Sequence, residues 1–100
     1  MKMHETNLKS VSLVNRCERR DDGSMIQFVI WKLPIALLPC QHQFKYRLAY
    51  IVDGICVIRY DNERGKGDHK HINGQEERYL FSTPEQLIKD FRTDILKWQP

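Results

Sequence analysis

Two dipeptides, Asp53-Gly54 and Asn73-Gly74, constrain this chain more than anything else in it. Each suits a two-residue turn with positive φ at both positions, the connection whose twist matches a pair of antiparallel strands. The first joins FKYRLAYIV to ICVIRY, and the second joins HKHI to EERYLF. These runs are rich in β-branched and aromatic residues, as half-buried strands are. Two hairpins so close in sequence call for an antiparallel sheet.

Further strands follow upstream. MIQFVIWKL, from Met25 to Leu33, has the composition of a strand and no helix cap, and Pro34 ends it. Val11 to Arg19 alternates weakly and runs into the turn signal Asp21-Asp22-Gly23-Ser24, so it reads as an edge strand within an otherwise polar N-terminal segment, residues 1–24. Residues 25–100 form one domain, since 100 residues suffice for a single core but not for two. Between Pro34 and His42 the apolar loop IALLPC, with prolines at 34 and 39, opposes a helix and either folds over a core edge or meets a partner.

The strand from Phe44 alternates cleanly. Phe44, Tyr46, Leu48, Tyr50 and Val52 share one face, and Lys45, Arg47, Ala49 and Ile51 the other. Uninterrupted pairing outward from Val52 and Ile55 places Tyr50 opposite Val57, Leu48 opposite Arg59, and Arg47 opposite Tyr60. Cys56, flanked by Ile55, Val57 and Ile58, reads as core filler.

One helix closes the chain. Ser82 and Glu85 have capping-box spacing, and Thr83 as the cap with Pro84 in the first turn is an equally good start. Leu87, Ile88, Phe91, Ile95 and Trp98 then recur at spacings of three and four, with Lys89, Asp90, Arg92 and Asp94 outward. The expected fold is α+β: a curved antiparallel sheet of four or five strands with a C-terminal helix packed on one face.

Composition limits the function classes. Sixteen basic against 13 acidic residues give a net charge of +3, which permits an anionic partner but is not the charge of a sliding duplex-DNA binder. Three cysteines with no CxxC pair fit a reducing compartment. No stretch approaches the roughly 20 apolar residues of a membrane span, and MKMHETNLKS lacks the uninterrupted apolar stretch expected of a signal peptide. A cytoplasmic protein without a membrane partner is expected.

The chemistry gathers in DNERGKGDHKHINGQEE, Asp61 to Glu77. On an extended segment His69 and His71 point the same way, about 7 Å apart, and Lys70 the other. Such a pair can bracket a scissile phosphate: one neutral imidazole takes the proton of an RNA 2′-OH and the other, protonated, supplies the leaving 5′ oxygen. Asp68 is the candidate to orient an imidazole, and Lys66 joins the catalytic set. Arg64, Gly65, Gly67, Arg47 and Arg59 are candidates for holding phosphate, the glycines by letting backbone amides approach it. A rival chemistry places Mg²⁺ or Mn²⁺ among Asp61, Glu63 and Asp68; the imidazole reading needs no cofactor. Glu76 and Glu77 flank opposite faces, so only one of them can meet the histidines.

Taken together, FKYRLAY, YDNERGKGDHKHI, the YLF run and the DF helix resemble the TumE-family toxins of toxin-antitoxin modules, over roughly Trp31 to Ile95. The resemblance implies a growth-inhibiting toxin neutralised by a cognate antitoxin, often a helix-turn-helix protein. Ribonuclease action is inferred from the histidine pair and the basic strands. The expectation is therefore a toxin that cleaves RNA through His69 and His71. The alternatives are a metal-dependent nuclease and a toxin that only binds RNA or protein. An unpaired sheet edge also offers a route to a homodimer.

Overall fold

A computed structural model describes residues 9–100. The start of the polar N-terminal segment, residues 1–8, lies outside the described residues. Six strands run in chain order across one antiparallel sheet: β1 (Val11–Arg19), β2 (Met25–Lys32), β3 (Phe44–Val52), β4 (Ile55–Glu63), β5 (Gly67–Ile72) and β6 (Gln75–Arg78). A single helix, α1 (Pro84–Lys97), follows. The fold is α+β as expected, with six strands instead of four or five. Both edges pair: β1 runs along β2 from Val11↔Lys32 to Arg19↔Met25, and β6 pairs β5 from Ile72↔Gln75 to His69↔Arg78.

Both dipeptide turns form as read, with φ of 53° and 77° at Asp53 and Gly54, and 51° and 84° at Asn73 and Gly74. The first hairpin departs from uninterrupted pairing. Val52↔Ile55 and Ile51↔Cys56 hold, but the register then slips at Tyr50, which faces Ile58. Val57 is the extra residue of a β-bulge, and beyond it Ala49 faces Arg59, Leu48 faces Tyr60 and Arg47 faces Asp61. The slip exchanges faces. Arg59, expected opposite Leu48, instead joins Ala49 and Arg47.

The core follows from this phase. Ile26, Phe28 and Ile30 of β2, Tyr46, Leu48 and Tyr50 of β3, and Ile58 and Tyr60 of β4 are buried under Leu87, Phe91 and Ile95 of the helix. Phe91 meets Phe28 edge to face at 5.7 Å and Tyr60 at 5.5 Å, the geometry aromatic quadrupoles favour. Thr83 caps the helix by accepting a hydrogen bond from Gln86 N, and Pro84 opens its first turn.

Not every outward assignment survives. Asp90 accepts from Tyr79 Oη at 2.6 Å, and Asp94 accepts from Tyr60 Oη and, at 3.1 Å, from Lys70 Nζ. These carboxylates rim the core and satisfy phenols that would otherwise be buried without partners. Arg92 reaches Glu18 of β1 at 2.8 Å while its guanidinium covers Phe28. Cys56 is exposed at the hairpin tip, and the cysteine that is buried is Cys40 in the apolar loop.

The helix packs against one face of the sheet only. Side chains that alternate with the core residues emerge on the other. There the strand register aligns two rows across the sheet, Val29–Arg47–Asp61–His69–Arg78 and Gln27–Ala49–Arg59–His71–Glu76.

Candidate functional site

The two rows explain how β4 and β5 build a site. Alternation puts Asp61 and Arg59 of β4 beside His69 and His71 of β5, and sends Asn62, Asp68 and Lys70 to the helix side. The rings of His69 and His71 lie 5.4 Å apart at a steep mutual angle. Arg59 is the hub: its Nε donates to Asp61 Oδ2 at 3.0 Å, and its Nη2 donates to His71 Nε2 at 3.0 Å. A guanidinium has no lone pair to offer, so His71 Nε2 is the acceptor and this imidazole is neutral. Its pKa lies below the ordinary histidine value, chiefly because burial disfavours the imidazolium and next because Arg59 stands beside it.

His69 is almost fully buried. Its Nε2 faces Asp61 Oδ1 at 3.3 Å and Glu76 Oε2 at 3.7 Å, while Glu76 Oε1 is 3.8 Å from His71 Nε2. Of the two neighbouring glutamates it is thus Glu76 that meets the histidines. Asp61 Oδ1 is buried and accepts no hydrogen bond. An orphaned carboxylate oxygen beside His69 is costly to maintain and marks a place where a donor or cation is wanted.

The remaining sequence candidates are divided. Arg47 stands exposed next to Asp61 in the first row. Lys66 Nζ lies 3.8 Å from Glu76 and 3.9 Å from Glu63, at the rim of the same site. Arg64 is exposed in the connection between β4 and β5. The amides of that connection are already engaged: Gly65 N donates to Leu38 O at 2.8 Å and Lys66 N to Glu63 O at 3.1 Å. Gly67 packs under Pro39, whose Cγ would be 3.4 Å from an added Cβ. The glycines therefore dock the apolar loop, which is what their backbone freedom serves here.

Asp68 is not beside His69 or His71. It faces the helix side, where Oδ1 accepts from Tyr46 Oη at 2.6 Å and from His42 Nε2 at 2.8 Å. The carboxylate next to His69 is Asp61. Asp61, Glu63 and Asp68 accordingly do not converge: the first and last lie on opposite faces, and Glu63 is exposed near Lys66.

His42 drew no attention in the sequence, because a lone histidine after an apolar loop carries no spacing. Its ring stacks on Phe81 with centroids 3.9 Å apart, and its Nδ1 accepts from Phe44 N at 3.1 Å. With Nδ1 accepting, Nε2 carries the hydrogen that Asp68 receives. Neighbouring Cys40 has its thiol pushed up to about 11 by burial and by the Asp68 carboxylate, so it stays protonated and a poor nucleophile. The buried Asn62 completes the network, accepting from Tyr46 N at 3.0 Å and donating to Phe44 O at 2.7 Å. Tyr46 and Tyr50 are core residues.

A cleft of about 850 Å³ opens beside His42 and Asp68, not over the histidine pair. Volume is the weaker guide here. His42 has both ring nitrogens engaged and Asp68 both oxygens, whereas the β4–β5 site holds an unpartnered buried oxygen and an imidazole restrained only by an arginine. A phosphodiester strand can also lie on an open sheet without a cavity.

Among the described residues no helix is long and apolar enough to cross a membrane. Neither the curated proteins nor the solved structures give a significant match. A family profile described as "Toxin TumE" matches residues 4–99, nearly the whole chain, and includes every residue of the site. By that match the chain belongs to the TumE toxin family.

Proposed function

We propose that this toxin arrests growth by cleaving RNA on the open sheet face, with His71 as general base and His69 as general acid. The observation that carries the reading is the side-by-side placement of the two imidazoles, 5.4 Å apart, between Arg59 and Arg47 on one flank and Arg78 on the other. As phosphate arrives, Arg59 turns from His71 Nε2 to the phosphate oxygens, because an anion is the stronger partner for a guanidinium. The released nitrogen takes the 2′-OH proton. The 2′ oxygen attacks phosphorus, and the departing 5′ oxygen takes a proton from His69, leaving a 2′,3′-cyclic phosphate and a 5′-hydroxyl.

Asp61 Oδ1, 3.3 Å from His69 Nε2, positions that ring, and Arg47, Arg59, Lys66 and Arg64 offset charge building on the phosphorus oxygens. No cofactor enters these steps. A toxin of this family implies a cognate antitoxin. The antitoxin is proposed to be a helix-turn-helix protein covering the exposed Ile35, Leu38 and Leu80 beside the apolar loop.

The test is cleavage of cellular RNA by purified toxin, wild type against His69→Ala and His71→Ala, in EDTA. Each variant should lose about 10²–10⁴-fold in rate, the usual worth of a positioned acid or base. Growth arrest by a folded double variant would overturn catalysis and leave a toxin that acts by binding.

A further inference from the structure

The four side chains around the unpartnered oxygen of Asp61 have the identity and spacing of a metal cage. Asp61, His69 and His71 each offer a donor atom within 4.8 Å of the others. Glu76 brings a fourth side chain alongside, its Oε2 3.7 Å from His69 Nε2 and its Oε1 3.8 Å from His71 Nε2. Donors held at about 2.0–2.1 Å in a tetrahedron around zinc are about 3.3–3.4 Å from one another. The separation of His69 Nε2 from Asp61 Oδ1 is already 3.3 Å, and the two to Glu76 close by movement of a half-exposed side chain on the short strand β6.

We infer that Asp61, His69, His71 and Glu76 bind one divalent transition-metal ion, with Zn²⁺ the best fitted. Two imidazoles and two carboxylates suit zinc over the hard, all-oxygen preference of magnesium. The ion supplies the partner that Asp61 Oδ1 lacks. It also competes with Arg59 for the lone pair of His71 Nε2, so entry requires Nη2 to withdraw while Nε keeps its bond to Asp61 Oδ2.

The second cluster, Cys40, His42 and Asp68, has comparable spacing but the wrong hydrogen. Phe44 N–H points at His42 Nδ1, so the neutral ring must carry its proton on Nε2, the nitrogen that an ion there would need. The inference is therefore specific to the β4–β5 face.

Its consequence for activity rests on the acid–base reading given above. Imidazoles that coordinate zinc cannot accept or deliver a proton, so the ion is an inhibitor of RNA cleavage and a chelator restores the rate.

Binding is tested apart from activity. Zn²⁺ is titrated calorimetrically into the full chain bearing Cys17→Ser and Cys56→Ser, which remove the exposed thiols. One ion per chain is expected. Affinity should fall at least about 10-fold in Asp61→Asn and His71→Ala, a loss that even an outer-shell change can cause, and stay unchanged in Cys40→Ser. Co²⁺ gives an independent readout: tetrahedral d–d bands without a thiolate charge-transfer band are expected.

A thiolate band, or affinity lost only in Cys40→Ser, would move the ion to the other cluster and overturn the inference. Absence of saturable binding would also overturn it, leaving the catalytic reading untouched. Saturable binding with stimulated cleavage would keep the metal site and overturn the metal-free mechanism.

Discussion

Arg59 Nη2 donates to His71 Nε2 at 3.0 Å while the same guanidinium holds Asp61 through Nε. One side chain thus decides which nitrogen of His71 is basic and how readily it takes a proton. Arg59→Gln removes a positive charge that disfavours the imidazolium, so the His71 pKa should rise toward the ordinary value. It should stop short of it, because burial, the larger cause, remains. Ring C–H shifts followed against pH by NMR measure this, and an unchanged titration would show that the two side chains do not meet in solution.

Glu18 and Arg92 tie the edge strand β1 to the helix, and this arginine, with Arg16, holds the Glu18 carboxyl down to about 2 from an ordinary value of 4.5. A depressed carboxylate stabilises the fold fully above its unfolded pKa, and that contribution disappears as pH falls from about 4.5 toward about 2. The pair is exposed enough that solvent screening keeps it to about 0.2–1 kcal/mol. Arg92→Ala should therefore lower the unfolding midpoint slightly at pH 7, with the difference from wild type shrinking through that acid window.

Asp68 and His42 are paired as an acid and a base would be, yet they cross-brace the end of the sheet through Tyr46. Asp68→Ala leaves a buried phenol without its acceptor and should cost about 1–3 kcal/mol by denaturant unfolding. Toxicity at a temperature where the variant is folded should remain. Loss of toxicity in folded Asp68→Ala or His42→Ala would transfer the catalytic role to this cleft.

Phe91 and Thr83 separate packing from capping on one helix. Phe91 is wholly buried against Phe28 and Tyr60, so Phe91→Ala should cost about 3–5 kcal/mol, a large share of the stability of a chain this size. Thr83→Ala removes one hydrogen bond to Gln86 N and should cost about 1 kcal/mol. Paired thermal or urea melts give both values.

The sheet was legible because its determinants are local. Asp53-Gly54 and Asn73-Gly74 specify their turns by backbone sterics alone, and the strands they join alternate with period two. The histidine pair shared a face for the same reason. What the sequence hid was non-local. A bulge depends on how β4 must twist to meet both neighbours, so nothing in ICVIRY announced that Arg59 would cross to the face of Arg47. The partner of Asp68 lies 26 residues away, on a loop with no period to read. Asp90 and Asp94 satisfied helical spacing as outward residues because a phenol lying over the helix edge is invisible from the helix itself.

Val57 also carries a lesson about insertions and deletions. As the surplus residue between Cys56 and Ile58, it can be excised without altering which neighbours confront each other farther along β4, since Ile51↔Cys56 and Tyr50↔Ile58 would simply become consecutive rungs. Dropping Tyr60 would instead leave Arg59 in place and invert every side chain downstream of the cut, carrying Asp61 to the core face opposite Leu48 and Asn62 to the open face. Length variation in this hairpin is therefore tolerable at the bulge, and a deletion scan across β4 should find soluble protein at Val57 or Ile58 but not at Tyr60.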